Sequence, residues 1–353
     1  MLSITRRDFL KSTAAAGVCF GAPGAAISAS DQAALPFPTV GDRARLVPAP
    51  LDAYREAKLS GGPGKDGIPS IDAPEFWTVQ EADDYLEDAD KVIGLVEGDR
   101  ARAYPQRILV WHEIANDAFG SVPLAVTYCP LTGTSLAFER GETTFGVSGR
   151  LVNSNLIMYD RQSDTWFPQI LGVATEGPHE GATLVERPLV WTTWGRWRKR
   201  HPDTKVLSTR TGFARNYTRD PYGSYTPLEG YYRPEASTIF PLMQEDERFP
   251  PKAVVLGART AREAVAFPKD RLREAGQLVL EGREATFVAV HDEGLDTGYI
   301  FEVPRAPKES AVVEGTGPDN VRWPEDLDAR ALNAFEAMWF AWAAFYPNTH
   351  VHE

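Results

Sequence analysis

Cysteine is nearly absent from this chain. Its 353 residues hold two thiols, Cys19 and Cys129, with six histidines and four methionines. No Cys-x-x-Cys pair occurs, which argues against a four-thiolate zinc site and against a dithiol redox motif. Long apolar runs are also missing. No later segment supplies the ~20 consecutive apolar residues that a spanning helix needs, so stable membrane insertion is not expected. Positive charge is short as well. Lys and Arg number 37 against 49 Asp and Glu, a net charge of −12. Such a balance opposes nucleic acid and anionic lipid surfaces as partners.

What is present begins with an address. Thr5-Arg6-Arg7-Asp8-Phe9-Leu10-Lys11 precedes a weakly apolar Ala/Gly run that ends near Ala29. Twin arginines before such a run predict a twin-arginine signal over 1–29 and a periplasmic or otherwise exported protein. Small residues at Ala26, Ser28 and Ala29 suit a signal peptidase. Cleavage there removes Cys19 and moves the net charge from −12 to −14. One remaining cysteine cannot form an intramolecular disulfide. Cys129 is then a buried inert thiol, a metal ligand or a nucleophile.

The chain after the signal reads as an extended lead-in over 30–75, rich in Pro, Gly and Ala. Six acids fall between Glu81 and Asp90, but without the spacing of a calcium loop. They predict a solvated helix or turn face. A hairpin is expected over 92–104 around Glu97-Gly98-Asp99. Strands follow at 124–129, 135–138, 143–147, 156–159 and 169–174 by their β-branched and aromatic content. Trp191, Trp194 and Trp197, with Arg196, Arg198, Lys199 and Arg200, predict a helix that buries tryptophan and exposes base. Residues 226–251 read as a Pro-rich linker.

Several strings recur in the same order. Val92-Ile-Gly-Leu95 to Tyr104-Pro105 matches Val254-Val-Leu-Gly257 to Phe267-Pro268. Trp194-Gly-Arg-Trp197 ahead of His201-Pro-Asp-Thr204 matches Trp339-Phe-Ala-Trp342 ahead of Tyr346-Pro-Asn-Thr349. The expected fold is α+β and mostly β. It has two unequal, pseudo-symmetric copies of a β-meander unit, each closed by a Trp-rich helix, over 76–225 and 252–353.

The polar specialities sit in the first copy, and so do the candidate site residues. Thiolate and imidazole suit copper or zinc, so Cys129 and His112, with His291 from the second copy, form one candidate metal or redox-linked set. Cys129 with His112 as base, oriented by Asp117 or Asn116, forms a candidate nucleophile set for a hydrolase or transferase. A third reading is non-catalytic binding of a small molecule, a glycan or another exported protein. Its contact set is Asn153, Asn155, Tyr159, Asp160, Arg161, Trp166 and Gln169.

A family resemblance rests on these same stretches. Tyr104-Pro105, His112-Glu-Ile-Ala-Asn-Asp117, Val126-Thr-Tyr-Cys-Pro-Leu-Thr-Gly133, Asn153-Ser-Asn-Leu-Ile-Met-Tyr-Asp-Arg161, His201-Pro-Asp-Thr204 and Asp220-Pro-Tyr-Gly223 resemble the DUF3179 family. The resemblance covers most of the mature chain and implies no activity. Many members look like Cys-Pro-Leu-Cys where this chain has Cys129-Pro-Leu-Thr132.

Overall fold

The expected hairpin starts the main sheet. Lys91–Glu97 (β1) and Arg100–Pro105 (β2) pair antiparallel in the computed structural model. It describes residues 35–40, 45–324 and 326–352, so the expected signal lies outside the described residues. Gly98 closes the turn at φ 61°, a left-handed value that a Cβ disfavours. Pro105 ends β2, and a single helical turn, Gln106–Leu109 (α1), follows. The acidic run ahead of the hairpin carries a short helix, Val79–Asp83, closed by a Thr78/Glu81 capping box.

A three-stranded meander comes next: Ile114–Phe119 (β3), Val122–Cys129 (β4) and Thr134–Glu139 (β5). Phe145–Val152 (β6), Asn155–Asp160 (β7) and Trp166–Pro168 (β8) form a second one. The strand expected over 169–174 does not form. Gln169 and Ile170 turn away after β8, held by Gln169 N–H to Leu156 O at 2.9 Å and Ile170 N–H to Asn155 Oδ1 at 2.9 Å. Side-chain hydrogen bonds override the β propensity of that apolar run.

Val190–Thr193 (β9) returns to β1 antiparallel and runs into the expected tryptophan helix, Trp194–Arg200 (α2). Its three basic residues in the last turn complement the helix dipole, and His201-Pro202 stops it. Lys205–Leu207 (β10) then lies parallel to β2.

The later sheet has Val254–Arg259 (β11) and Ala264–Pro268 (β12) as its hairpin, followed by Lys269–Ala275 (α3). Gln277–Glu281 (β13), Thr286–Asp292 (β14), Thr297–Val303 (β15) and Arg330–Leu332 (β16) make the accompanying meander. Phe335–Met338 (β17) pairs antiparallel with β11, Trp339–Phe345 (α4) follows, and His350–Val351 (β18) lies parallel to β12. Strand order is thus β9-β1-β2-β10 in one sheet, with the two-residue strand Phe76–Trp77 added as a fifth member antiparallel to β10, and β17-β11-β12-β18 in the other.

Packing under each tryptophan helix is close. A Cβ on Gly94 would lie 2.1 Å from the Trp197 ring, and one on Gly257 would lie 2.3 Å from Trp342. Trp197 Nε1 donates to Thr204 Oγ1 and Trp342 Nε1 to Thr349 Oγ1, each at 3.0 Å. All four of Trp194, Trp197, Trp339 and Trp342 are buried.

Residues Pro36–Glu353 cluster as one compact unit. One core cluster takes in Cys129, Leu136 and Phe138 together with Val255, Ala337 and Trp342. Met338 N–H donates to the Thr132 carbonyl at 2.9 Å, which ties β17 to the turn after Cys129. A buried ion cluster adds to this. Glu186 accepts from Arg259 at 2.6 Å, from Arg45 at 2.9 Å and from Asn333 at 2.8 Å. The 226–251 stretch, expected as a linker, places Tyr231 and Tyr232 in the core. No helix among the described residues is long and apolar enough to cross a membrane.

Candidate functional site

Cys129 ends β4 and is buried. Leu156 N–H points at its Sγ at 3.4 Å, and the thiol faces Ser154 O at 3.7 Å. Burial first, and then the nearby Glu113 carboxyl, push the thiol up to about 11. It is protonated at neutral pH, the opposite of an activated nucleophile.

His112 stands just past α1, where its N–H still reaches Leu109 O at 3.1 Å. Its Nδ1 is 2.7 Å from Pro69 O, so that nitrogen carries the proton and donates. Nε2 is 2.7 Å from the Tyr217 hydroxyl and accepts from it. Burial lowers its pKa, so the ring is neutral and both nitrogens are engaged. Asp117 is elsewhere. It accepts from Arg102, from Tyr104 Oη at 2.5 Å and from Ala118 N–H at 2.7 Å. Asn116 bonds Asp72 at 2.6 Å and Phe145 O at 2.8 Å. Neither orients the imidazole. His291 sits on β14 with its Nε2 3.2 Å from Asp296. Among the described residues, no three His, Cys, Asp or Glu side chains gather where they could hold a metal ion.

The expected contact set divides in two. Asn155 and Gln169 are buried and bond each other at 2.9 Å. Thr127, Thr132 and Thr134 complete their network. Asn153 is buried too, between Met243 N–H at 2.8 Å and Ala344 O at 3.2 Å. Asp160 caps the 160–165 turn through the N–H groups of Gln162, Ser163 and Thr165. These four are spent within the protein. Tyr159, which is buried, and the half-buried Arg161 and Trp166 instead form a group beneath the 65–72 segment. Tyr159 donates to Asp66, Arg161 pairs with Asp66 and Asp72, and Lys65 lies 4.0 Å from the Tyr159 ring centroid.

The structure brings forward residues to which the sequence assigned no role. Glu113 is 6 % exposed, with φ 58°. No donor among the described residues meets its carboxyl, and desolvation pushes that group up to about 8. A titratable residue in strained backbone beside a lone thiol is a recognised mark of a site. Next to it lies a cluster of phenols. Tyr128 Oη is 3.1 Å from Tyr225 Oη and 3.5 Å from Tyr232 Oη. Gln106 Nε2 donates to Tyr128 Oη at 3.2 Å and to Asp220 at 2.8 Å, and Tyr232 donates to Asp220 at 2.9 Å. The Tyr225 and Tyr232 rings stack at 4.0 Å.

Gln106, Asp220 and Tyr225 of this cluster line a cleft of about 340 Å³ together with Asp90, Lys91 and Arg107 among others, while Tyr128 and Tyr232 stay buried behind it. Its size falls in the small-molecule range. Four tyrosines within 222–232 are the one sequence signal that could have located it. In His350-Val351-His352, His350 Nε2, 3.5 Å from Glu263, and His352 Nδ1 are buried without hydrogen-bond partners among the described residues, where they join no three-ligand group.

The family model described as "Protein of unknown function (DUF3179)" matches residues 65–349. The chain belongs to this family. The match takes in the first sheet, the three meanders and the cleft, and ends just before β18. No curated protein and no solved structure matches the chain.

Proposed function

We propose that this DUF3179 protein is an exported small-molecule-binding protein whose site is the cleft over the phenol cluster. One observation carries the reading. Gln106, Asp220 and Tyr225 line the cleft, and the buried Tyr128 and Tyr232 behind them join the three into a single hydrogen-bonded set. Convergent polar groups at the foot of a concave surface give a ligand orientation as well as contact. The Cys/His readings draw less support. A copper or zinc pair of Cys129 and His112 needs a free ring nitrogen, and a nucleophile needs a lowered thiol pKa.

The two sheets also support descent from one duplicated unit. They share strand order, a glycine under a tryptophan ring, and an indole-to-threonine bond seven residues on. In that comparison Gln106 after Pro105 corresponds to Lys269 after Pro268. Gln106 faces the phenols, whereas Lys269 is tied to Glu336 at 2.5 Å. The binding role is therefore assigned to the first copy. The twin arginines at 6 and 7 support export.

Ligand-observed NMR with a library of small polar molecules tests the reading. Hits on the wild-type protein should vanish in Ser224→Trp, which fills the cleft from its wall. Hits that bind both proteins equally, or no hits at all, would sink it.

A further inference from the structure

β18 is an edge strand of the later sheet and lies parallel to β12, with His350 beside Val265 and Val351 beside Ala266. The ladder runs one residue further, through His352 N–H to Ala266 O at 3.2 Å. Alternation along a strand puts the His350 and His352 side chains on one face, the face that Glu263, Val265 and Phe267 share. The contacts agree. The His352 ring stacks on Phe267 with centroids 6.2 Å apart, and His350 Nε2 lies 3.5 Å from Glu263 Oε2.

Two nitrogens on that face are unused by the fold. His350 Nε2 and His352 Nδ1 are buried without a hydrogen-bond partner among the described residues. Orphaned polar atoms of this kind call for a missing partner such as an ion. The buried Glu263 carboxylate beside them is fixed by Arg283 N–H at 2.8 Å and Glu284 N–H at 3.4 Å. The strand pairing itself demands no imidazole, because Lys205 and Val206, followed by Leu207, make the same parallel pairing on β2. Both histidines also lie past residue 349, where the family match ends.

We propose that His350, His352 and Glu263 form a site for a divalent transition-metal cation of the zinc class. Two imidazoles and a carboxylate suit such an ion, with water in the fourth position. Metal–donor distances of about 2.0–2.2 Å put neighbouring donors of a tetrahedral site roughly 3.3–3.6 Å apart. The 3.5 Å between His350 Nε2 and Glu263 Oε2 matches one such edge. The three side chains do not meet at one point as they stand, so His352 joins by turning its ring off Phe267. Strand rise sets the two histidine Cα atoms about 7 Å apart, close enough for both rings to reach one ion. The two N–H groups on Glu263 then act as the outer shell that orients a ligand. A cation held there fastens the edge strand to β12 and to the turn between β13 and β14.

The test uses the full chain without a histidine tag, stripped with a chelator and titrated calorimetrically with zinc chloride. Wild type should bind a single equivalent saturably, and zinc should raise its melting temperature. His350→Gln, His352→Gln and Glu263→Gln should each weaken binding by at least about tenfold. The variant carrying both histidine changes should lose the zinc-dependent rise in melting temperature. Cobalt(II) should give the visible absorption of a four-coordinate site with wild type and not with that double variant. Cys129→Ser should bind zinc as wild type does, which separates this site from the thiol. Far-UV circular dichroism confirms that each variant is folded. Zinc held by the double variant as tightly as by wild type, or lost in Cys129→Ser, overturns the inference, and so does a wild-type chain that binds none.

Discussion

Glu113 is held in left-handed backbone, 6 % exposed, with no donor to its carboxyl among the described residues. Its folded-state pKa of about 8 stands above the value of about 4.3 for an unfolded glutamate. Such a group stabilises the fold fully below the unfolded value, and that contribution is lost as pH rises through about 8. Glu113→Gln stays neutral throughout. In urea unfolding, wild type should lose stability relative to Glu113→Gln between about pH 4.3 and 8, with a gap on the order of 5 kcal/mol at the upper end. Parallel profiles would show that the carboxyl is solvated after all. At this scale the sequence was half legible. A lone cysteine among β-branched and aromatic neighbours predicts burial, and Cys129 is buried. Its partner was not readable, because side-chain direction at the α1-to-β3 junction depends on one backbone angle. With Glu113 at φ 58°, it is the glutamate whose charge reaches the thiol, while the His112 ring bonds Pro69 and Tyr217.

The elements were read more easily than their contents. The 92–104 hairpin, the strand at 124–129 and the tryptophan helix form where alternation, a turn glycine and near-helical spacing place them. The strand expected at 169–174 does not form because the N–H groups of Gln169 and Ile170 go to Leu156 O and to the Asn155 side chain, partners that no local pattern announces. Under each tryptophan helix the decisive residue is a glycine. Gly94→Ala and Gly257→Ala each force a methyl into an indole ring, at 2.1 and 2.3 Å. Overpacking of this kind costs about 1–3 kcal/mol. Denaturant titration of the two variants should give penalties at the upper end of that range and within about 1 kcal/mol of each other. A neutral Gly94→Ala would mean that the Trp197 ring moves freely.

For the molecule as a whole, the Glu186 cluster links the lead-in, the first meander's edge and the later sheet through Arg45, Arg259 and Asn333. Burial alone would raise the Glu186 carboxyl, but the two guanidiniums outweigh it and the net shift is downward. Its contribution is thus present above the unfolded value near 4.3 and lost as pH falls through the lower folded one. Glu186→Gln leaves two buried cations short of charge and should cost about 3–5 kcal/mol at neutral pH. The difference from wild type should shrink in acid; a constant difference would assign the loss to packing instead. The long-range pairing was beyond reach of the sequence, since nothing near Glu186 names Arg259, 73 positions away.

The bond from Met338 to the Thr132 carbonyl sets a timetable for biosynthesis. The turn beside the thiol stays unfinished on the ribosome until β17 has been synthesised and can reach back to it.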